Sequence, residues 1–327
     1  MYPRRMPHAE ELPIRAGAAT LAATLLLPEE PPAGGRCPNV LLLPSWLPRD
    51  RDGSYDRIGH AAWFAADRRA GPGLLRRLAE ALARLGVASL RADPRGCGQS
   101  DGAWEEVTLF AKIDDARDML AAMRGRSELD LRRSGIIGHG EGAGIALAVA
   151  IGDPVISALT LVGASARSWR DTLRRAAAAR GRDGTEHDHP IVATIDRWSE
   201  DLIERAERRE ATLRLPLPGG DAVTLSLAPI EQAIHTPPLA MATMLHRSVA
   251  LVHGGADTWS DPGESRLLEA ALRAAGEAPT TRLVLGAGHD LAEASDEVIS
   301  EVAADLAGRL LPRDLPPVLL AIEEMGS

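Results

Sequence analysis

Apolar residues along this chain fall into two patterns: short, nearly unbroken runs, and longer stretches in which leucine, isoleucine or alanine returns every three or four positions. Val40–Leu43, Val87–Leu90, Ile156–Val162 and Val249–Val252 belong to the first kind, with Ile136-Ile137 and Arg282–Leu285 as shorter or weaker examples. Runs of this length predict strands buried on both faces. Leu74, Leu78, Leu82 and Leu85 belong to the second kind, between Pro72 and Gly86, and so predict a helix with an opening and a closing residue. Leu109–Met123, Pro262–Ala275 and part of Leu291–Leu311 repeat the pattern, and Ile145–Ile151 is Ala-rich and helical in character. Before them, residues 12 to 28 alternate around Gly17 and predict an opening hairpin. Strands alternating with helices predict an α/β protein with a mostly parallel, doubly wound sheet, whose ligands bind at the carboxyl ends of the strands.

The alternation stops between Ala166 and His246. Two helical stretches stand there, Trp169–Arg180 and Ile191–Arg209, separated by the polar Glu186-His187-Asp188-His189-Pro190. Leucines then alternate at 213, 215 and 217 and, with Val223, at 225 and 227, predicting a hairpin with one apolar face. The layout is therefore an N-terminal hairpin and connection (1–37), a first core half (38–165), an inserted helical and hairpin lid (166–246), a second core half (247–312) and a tail (313–327).

Composition narrows the possibilities. The 327 residues are 45% apolar, enough for a large core, and a net charge of −9 argues against a nucleic-acid partner. Cys37 and Cys97 are too few for a disulfide framework, the first residues lack an apolar signal segment, and no apolar run is long enough to span a bilayer. The expectation is a cytoplasmic protein with no membrane partner. Histidine and acid within residues 186 to 189 have no second cluster to complete a metal site, so neither metal nor cofactor is expected.

Chemistry concentrates at three strand ends. Ser134 to Gly144 reads Ser-Gly-Ile-Ile-Gly-His-Gly-Glu-Gly-Ala-Gly, a strand, a tight turn and a helix start. It has the frame of Gly-x-Ser-x-Gly, in which flanking glycines let strand and helix approach and the central serine stands exposed above the sheet. Gly138 and Gly142 are in place, but Gly140 occupies the central position. Later loops supply Asp257, within His253-Gly-Gly-Ala-Asp257, and His289, within Gly286-Ala-Gly-His289-Asp290. Nucleophile position, acid, histidine is the chain order in which the histidine relays a proton and the acid orients it. Asp261 is a less favoured acid. His139 and Glu141 flank the turn as packing and hydrogen-bonding neighbours.

Together with Asp50-Arg-Asp-Gly53 and Asp93-Pro-Arg-Gly-Cys-Gly-Gln-Ser100, these motifs resemble those of α/β-hydrolases, more narrowly bacterial carboxylesterases grouped with serine-aminopeptidase-like hydrolases. The resemblance covers nearly the whole chain. It implies the α/β-hydrolase fold, His289 and Asp257 as the proton-relay pair, and the insertion as a lid. Two departures stand at the centre: Gly140 in place of the serine, and Pro44-Ser45-Trp46-Leu47 where the family has a small-residue oxyanion loop. Ser45 and Trp46 are then oxyanion-loop or pocket residues, with His139 and Glu141 beside the turn in the same set. Because neither Ser45 nor Ser100 nor Ser134 belongs to the elbow tip, none is expected to replace the missing nucleophile.

The sequence thus predicts a hydrolase relative without normal serine-hydrolase activity, holding an apolar, acyl or aromatic small molecule as a binding or regulatory protein. The alternative is a non-covalent enzyme in which His289, oriented by Asp257, is a general base for water attack, elimination, isomerisation or cyclisation. A glycine introduced at 140 to trap a complex is a third reading. Gly140→Ser is expected to return some hydrolysis of short acyl esters where the oxyanion loop still works, and a null result to favour the binding reading. Oligomeric state is left open.

Overall fold

Strands that are apolar on both faces need cover on both faces, and the architecture follows from that need. The computed structural model describes residues 7–29, 35–64, 73–183, 190–217 and 219–310. It begins with a hairpin, β1 (His8–Ala16) and β2 (Ala19–Leu27), turned at Gly17 and Ala18. There follow β3 (Cys37–Leu43), α1 (Leu74–Arg84), β4 (Ala88–Ala92), α2 (Leu109–Arg124), β5 (Leu129–His139), α3 (Glu141–Gly152) and β6 (Ile156–Val162). The segment after β6 holds α4 (Trp169–Asp183), α5 (Pro190–Glu207), the hairpin β7 (Thr212–Pro216) and β8 (Ala222–Ser226), α6 (Ala228–His235) and α7 (Pro238–Ala242). The alternation resumes with β9 (Ser248–Gly254), α8 (Gly263–Ala274), β10 (Thr280–Val284) and α9 (Asp296–Arg309).

Eight strands form one sheet in the order β1-β2-β4-β3-β5-β6-β9-β10. The pairings β1 with β2 and β2 with β4 are antiparallel, and every other neighbour is parallel. All residues of β3 and β6 are buried, as expected for strands covered above and below. One apolar layer packs α2, α3 and α8 against one face, and a second packs α1 and α9 against the other. Thr108 fixes the start of α2, its Oγ1 accepting from the Ala111 N–H at 3.1 Å, a cap worth about 1 kcal/mol. A third apolar cluster joins α4 to α6 and the β7–β8 hairpin to Trp46, Leu47, Tyr55, Trp63 and Phe64 of the loop after β3 and to Trp104 of the loop after β4.

The alternating sheet, the opening hairpin and the second hairpin agree with the sequence reading. Two features differ. β5 extends well before Ile136, through Leu129-Asp-Leu-Arg-Arg, whose polar side chains hide it from a hydrophobic pattern. The short helices α6 and α7 escape the pattern too, because each is only about two turns or less and proline stands near each start. Residues 186 to 189, Pro72, Pro218 and the tail lie outside the described residues. Among the described residues, no helix is long and apolar enough to cross a membrane.

Candidate active site

Strand register decides what meets at the top of this sheet. β3 and β5 are parallel neighbours, and Leu43 lies opposite Gly138. Ser45 and Gly140 are each two residues further on, so the chain leaves both strands with these positions side by side. Gly140 keeps a strained turn, φ 54° and ψ −114°, as it enters α3. A Cβ on Gly138 would stand 2.3 Å from the Gly142 carbonyl oxygen, and one on Gly142 would stand 2.6 Å from the carbonyl oxygens of Leu43 and Pro44. No side chain fits at either, which is why this corner needs its flanking glycines.

The same test at Gly140 gives a different result. A Cβ there would stand 2.1 Å from Ser45 Oγ, 2.8 Å from Ser45 Cβ and 2.9 Å from His289 Nε2. The space beside the histidine is therefore filled, by the side chain of Ser45. Ser45 Oγ lies 3.1 Å from His289 Nε2, and His289 Nδ1 lies 2.8 Å from Asp257 Oδ2. The expectation that no side-chain alcohol reaches the imidazole is thus overturned. It treats the corner residue as the sole source of a hydroxyl, whereas the neighbouring strand delivers one to the same point. Ser100 and Ser134 are elsewhere: Ser100 Oγ donates to the Asp93 carbonyl, and Ser134 Oγ lies against Asn39 Oδ1 and the Leu131 carbonyl.

Asp257, and not Asp261, meets the histidine. Its Oδ1 accepts from the backbone N–H groups of Trp259 (2.8 Å) and Ser260 (2.9 Å), and its Oδ2 also faces His253 Nε2 at 3.1 Å. Burial alone would raise this carboxyl's pKa, but the attraction of His289 and the hydrogen bonds from both histidines hold it well below the usual carboxylate range. Asp261 instead accepts from the Gly263 N–H at the start of α8. For His289, burial disfavours the imidazolium, yet Asp257 outweighs it and raises the pKa above its ordinary value. A base that must be neutral then works only above that raised value. Any turnover that uses His289 as its base is expected to rise with pH through a limb above the ordinary imidazole value of about 6.5, and Asp257→Asn to lower it by about 10⁴-fold and move the limb down. A limb at or below the free imidazole value in the unmodified protein contradicts this.

Sequence reasoning missed the clamp that holds the two loops together. Arg49, in the loop after Ser45, is buried and donates to the Trp46 carbonyl (3.2 Å), the Gly53 carbonyl (2.8 Å) and Asp290 Oδ1 (2.8 Å), the residue after His289. Burial works against the charge on Asp290, and Arg49 more than restores it, lowering the pKa to about 2. Between them Leu47 takes φ 72°, a left-handed conformation that a buried leucine holds only when its surroundings enforce it. Arg49→Met leaves the Asp290 carboxylate buried without its cation and is expected to cost about 3–5 kcal/mol, read as a lowered urea midpoint. A midpoint unchanged within error would refute the clamp.

His139 is a structural neighbour, its Nε2 donating to the His289 carbonyl at 3.0 Å. Burial lowers its pKa to about 3, so it stays neutral. Glu141, the first residue of α3, is ion-paired at 2.6 Å with Lys112, the chain's single lysine. Gly140 lends α3 no side-chain cap, and the Ala143 N–H at the helix start donates to the Gly140 carbonyl at 3.1 Å. Trp46 is buried against Trp104, Trp169 (edge-on, 4.6 Å) and Trp259 (stacked, 5.9 Å). With the two latter tryptophans it walls an open cavity, which Gly140, Glu141 and His289 also line, together with residues of α4, α6 and α7.

The family model of the alpha/beta hydrolase fold matches residues 70–183. An acyltransferase, drtE of Aspergillus calidoustus, is 31% identical over 119 residues, which is 34% of this chain and 39% of that protein, so the chain matches well under half the relative's length. Among solved structures, the ferulic-acid-bound Est1E of Butyrivibrio proteoclasticus superposes with a TM-score of 0.63 at 17% identity, over 91% of this chain and 99% of that one. The acylaminoacyl peptidase of Pyrococcus horikoshii superposes with a TM-score of 0.61 at 12% identity, over 96% of this chain and 43% of that one.

Proposed function

From the premise that this chain has the α/β-hydrolase fold, we propose that it is an acyl-transfer enzyme whose nucleophile has moved from the strand-to-helix corner to the end of β3. Ser45 attacks the carbonyl carbon of an ester or thioester while His289 Nε2 takes its proton and Asp257 stabilises the imidazolium. The oxyanion is met at the start of α3. The carbon–oxygen or carbon–sulfur bond then breaks, and His289 returns the proton to the departing alcohol or thiol. Water, or an acceptor hydroxyl, attacks the acyl-enzyme with His289 as base and frees Ser45. The observation that carries this reading is the continuous chain from Ser45 Oγ through His289 to Asp257, at 3.1 Å and 2.8 Å. The esterase and acyltransferase neighbours support the reaction class. Residues 166–246 act as the lid over an apolar or aromatic small-molecule substrate.

The pseudo-hydrolase expected from Gly140 is the reading this replaces. A fluorophosphonate distinguishes the two. Stoichiometric labelling mapped to the Ser45 peptide is expected; an unlabelled protein returns the site to ligand binding or to non-covalent base catalysis by His289.

A further inference from the structure

Ser45 does not line the cavity that His289 lines. It opens instead onto a second cavity, walled by Leu43, Leu47, Trp104, Ala116, Met119 and Ile145 among others. Glu141 borders both cavities and His289 borders the first alone. The nucleophile thus stands between two spaces, with its base on one side.

Resting on Ser45 as nucleophile, we infer that the second cavity holds the acyl chain of the substrate, and that the departing group and the incoming acceptor share the first. Proton transfer dictates the assignment: whatever leaves must be protonated by His289 Nε2, and whatever enters must be deprotonated by it, so both need the cavity that the imidazole reaches. The acyl chain is then directed the other way.

The linings agree. Every charged side chain bordering the second cavity is already engaged: Lys112 with Glu141 (2.6 Å), Arg95 with Asp115 (2.8 and 2.9 Å), and Asp93 with Arg51 (2.8 Å) and the backbone N–H of Arg51 (2.7 Å). What the space offers a ligand is hydrocarbon, which suits an unbranched aliphatic acyl chain. The first cavity is bordered by engaged groups too, Ser165 with Ser260 (3.1 Å) and Arg167 with Glu264, but it adds Thr172, whose buried Oγ1 has no hydrogen-bond partner. A hydroxyl- or amine-bearing acceptor satisfies such a wall, and a bare alkyl chain does not.

Ala116 and Met119 lie one turn apart on the face of α2 that borders the second cavity, and Ala148 of α3 borders the first. The experiment compares the rates at which methyl and octyl phosphonofluoridates label Ser45. The unmodified protein is expected to favour the octyl probe, and Ala116→Phe to reduce that preference by at least about tenfold. Met119→Trp serves the same purpose should the Ala116→Phe variant fail to fold, with thermal melting as the check on folding. Preference lost in Ala148→Phe and kept in Ala116→Phe reverses the assignment, and equal preference in all three proteins removes it. Labelling of Ser45 by both probes alongside either of these leaves the nucleophile intact, whereas labelling by neither overturns the nucleophile and this inference together.

Discussion

Replacing Ser45 with alanine is expected to lower kcat on any acyl ester the protein turns over by about 10⁶-fold, with the fold preserved. The magnitude follows from the roles in the site. Without the hydroxyl, His289 and Asp257 have no nucleophile to activate, and what persists is binding and oxyanion stabilisation, about 10³–10⁴-fold over water. The structural cost is small: the hydroxyl's hydrogen bond is that to His289, so stability is expected to change by about 1 kcal/mol. The comparison with His289→Ala is informative. If both variants fall to the same residual rate, serine and histidine act as a unit. If His289→Ala is inactive while Ser45→Ala keeps its turnover, the histidine is a base for water and no covalent step exists.

The second large effect is at Gly140. Crowding opposes the return of activity on adding a serine here, because the added Cβ would lie 2.1 Å from Ser45 Oγ and 2.9 Å from His289 Nε2. Gly140→Ser and Gly140→Ala are both expected to push the Ser45 side chain off the imidazole, lowering kcat by at least about 100-fold, since displacements near 1 Å are enough for that. Crowding and the positive φ of 54° together are expected to cost about 1–3 kcal/mol in stability. Removing the obstruction changes the outcome. In Gly140→Ser combined with Ser45→Gly, the hydroxyl sits at the corner and the β3 loop regains a small residue, so turnover is expected to exceed that of either single variant. A Gly140→Ala variant with full activity would show that the two positions do not compete for one space.

The framework of the fold is plain in the hydrophobic pattern, because strands buried on both faces have to be apolar throughout. Val40–Leu43, Ile156–Val162 and Val249–Val252 all belong to strands of the central sheet. Asp257 and His289 follow the last two parallel strands, and their pairing at 2.8 Å follows from the parallel register of β9 and β10. Ser45 is the instructive failure. A motif reads along the chain, where Gly140 is an absence, while the chemistry depends on what is adjacent across the sheet. The signal is present in Pro44-Ser45 closing an apolar strand, but using it requires knowing that β3 lies beside β5 in parallel register. The Arg49–Asp290 pair is hidden for a similar reason, since 241 residues separate its members. Nothing local marks such a contact.

The central claim, that Ser45 carries the acyl group, is tested most directly by trapping that intermediate. The protein is mixed with a p-nitrophenyl ester, quenched in acid within the first turnovers, digested and read by tandem mass spectrometry. An acyl adduct on Ser45, absent in Ser45→Ala, is the expected result. An adduct on another residue, or released p-nitrophenol with no adduct on any peptide, would contradict it.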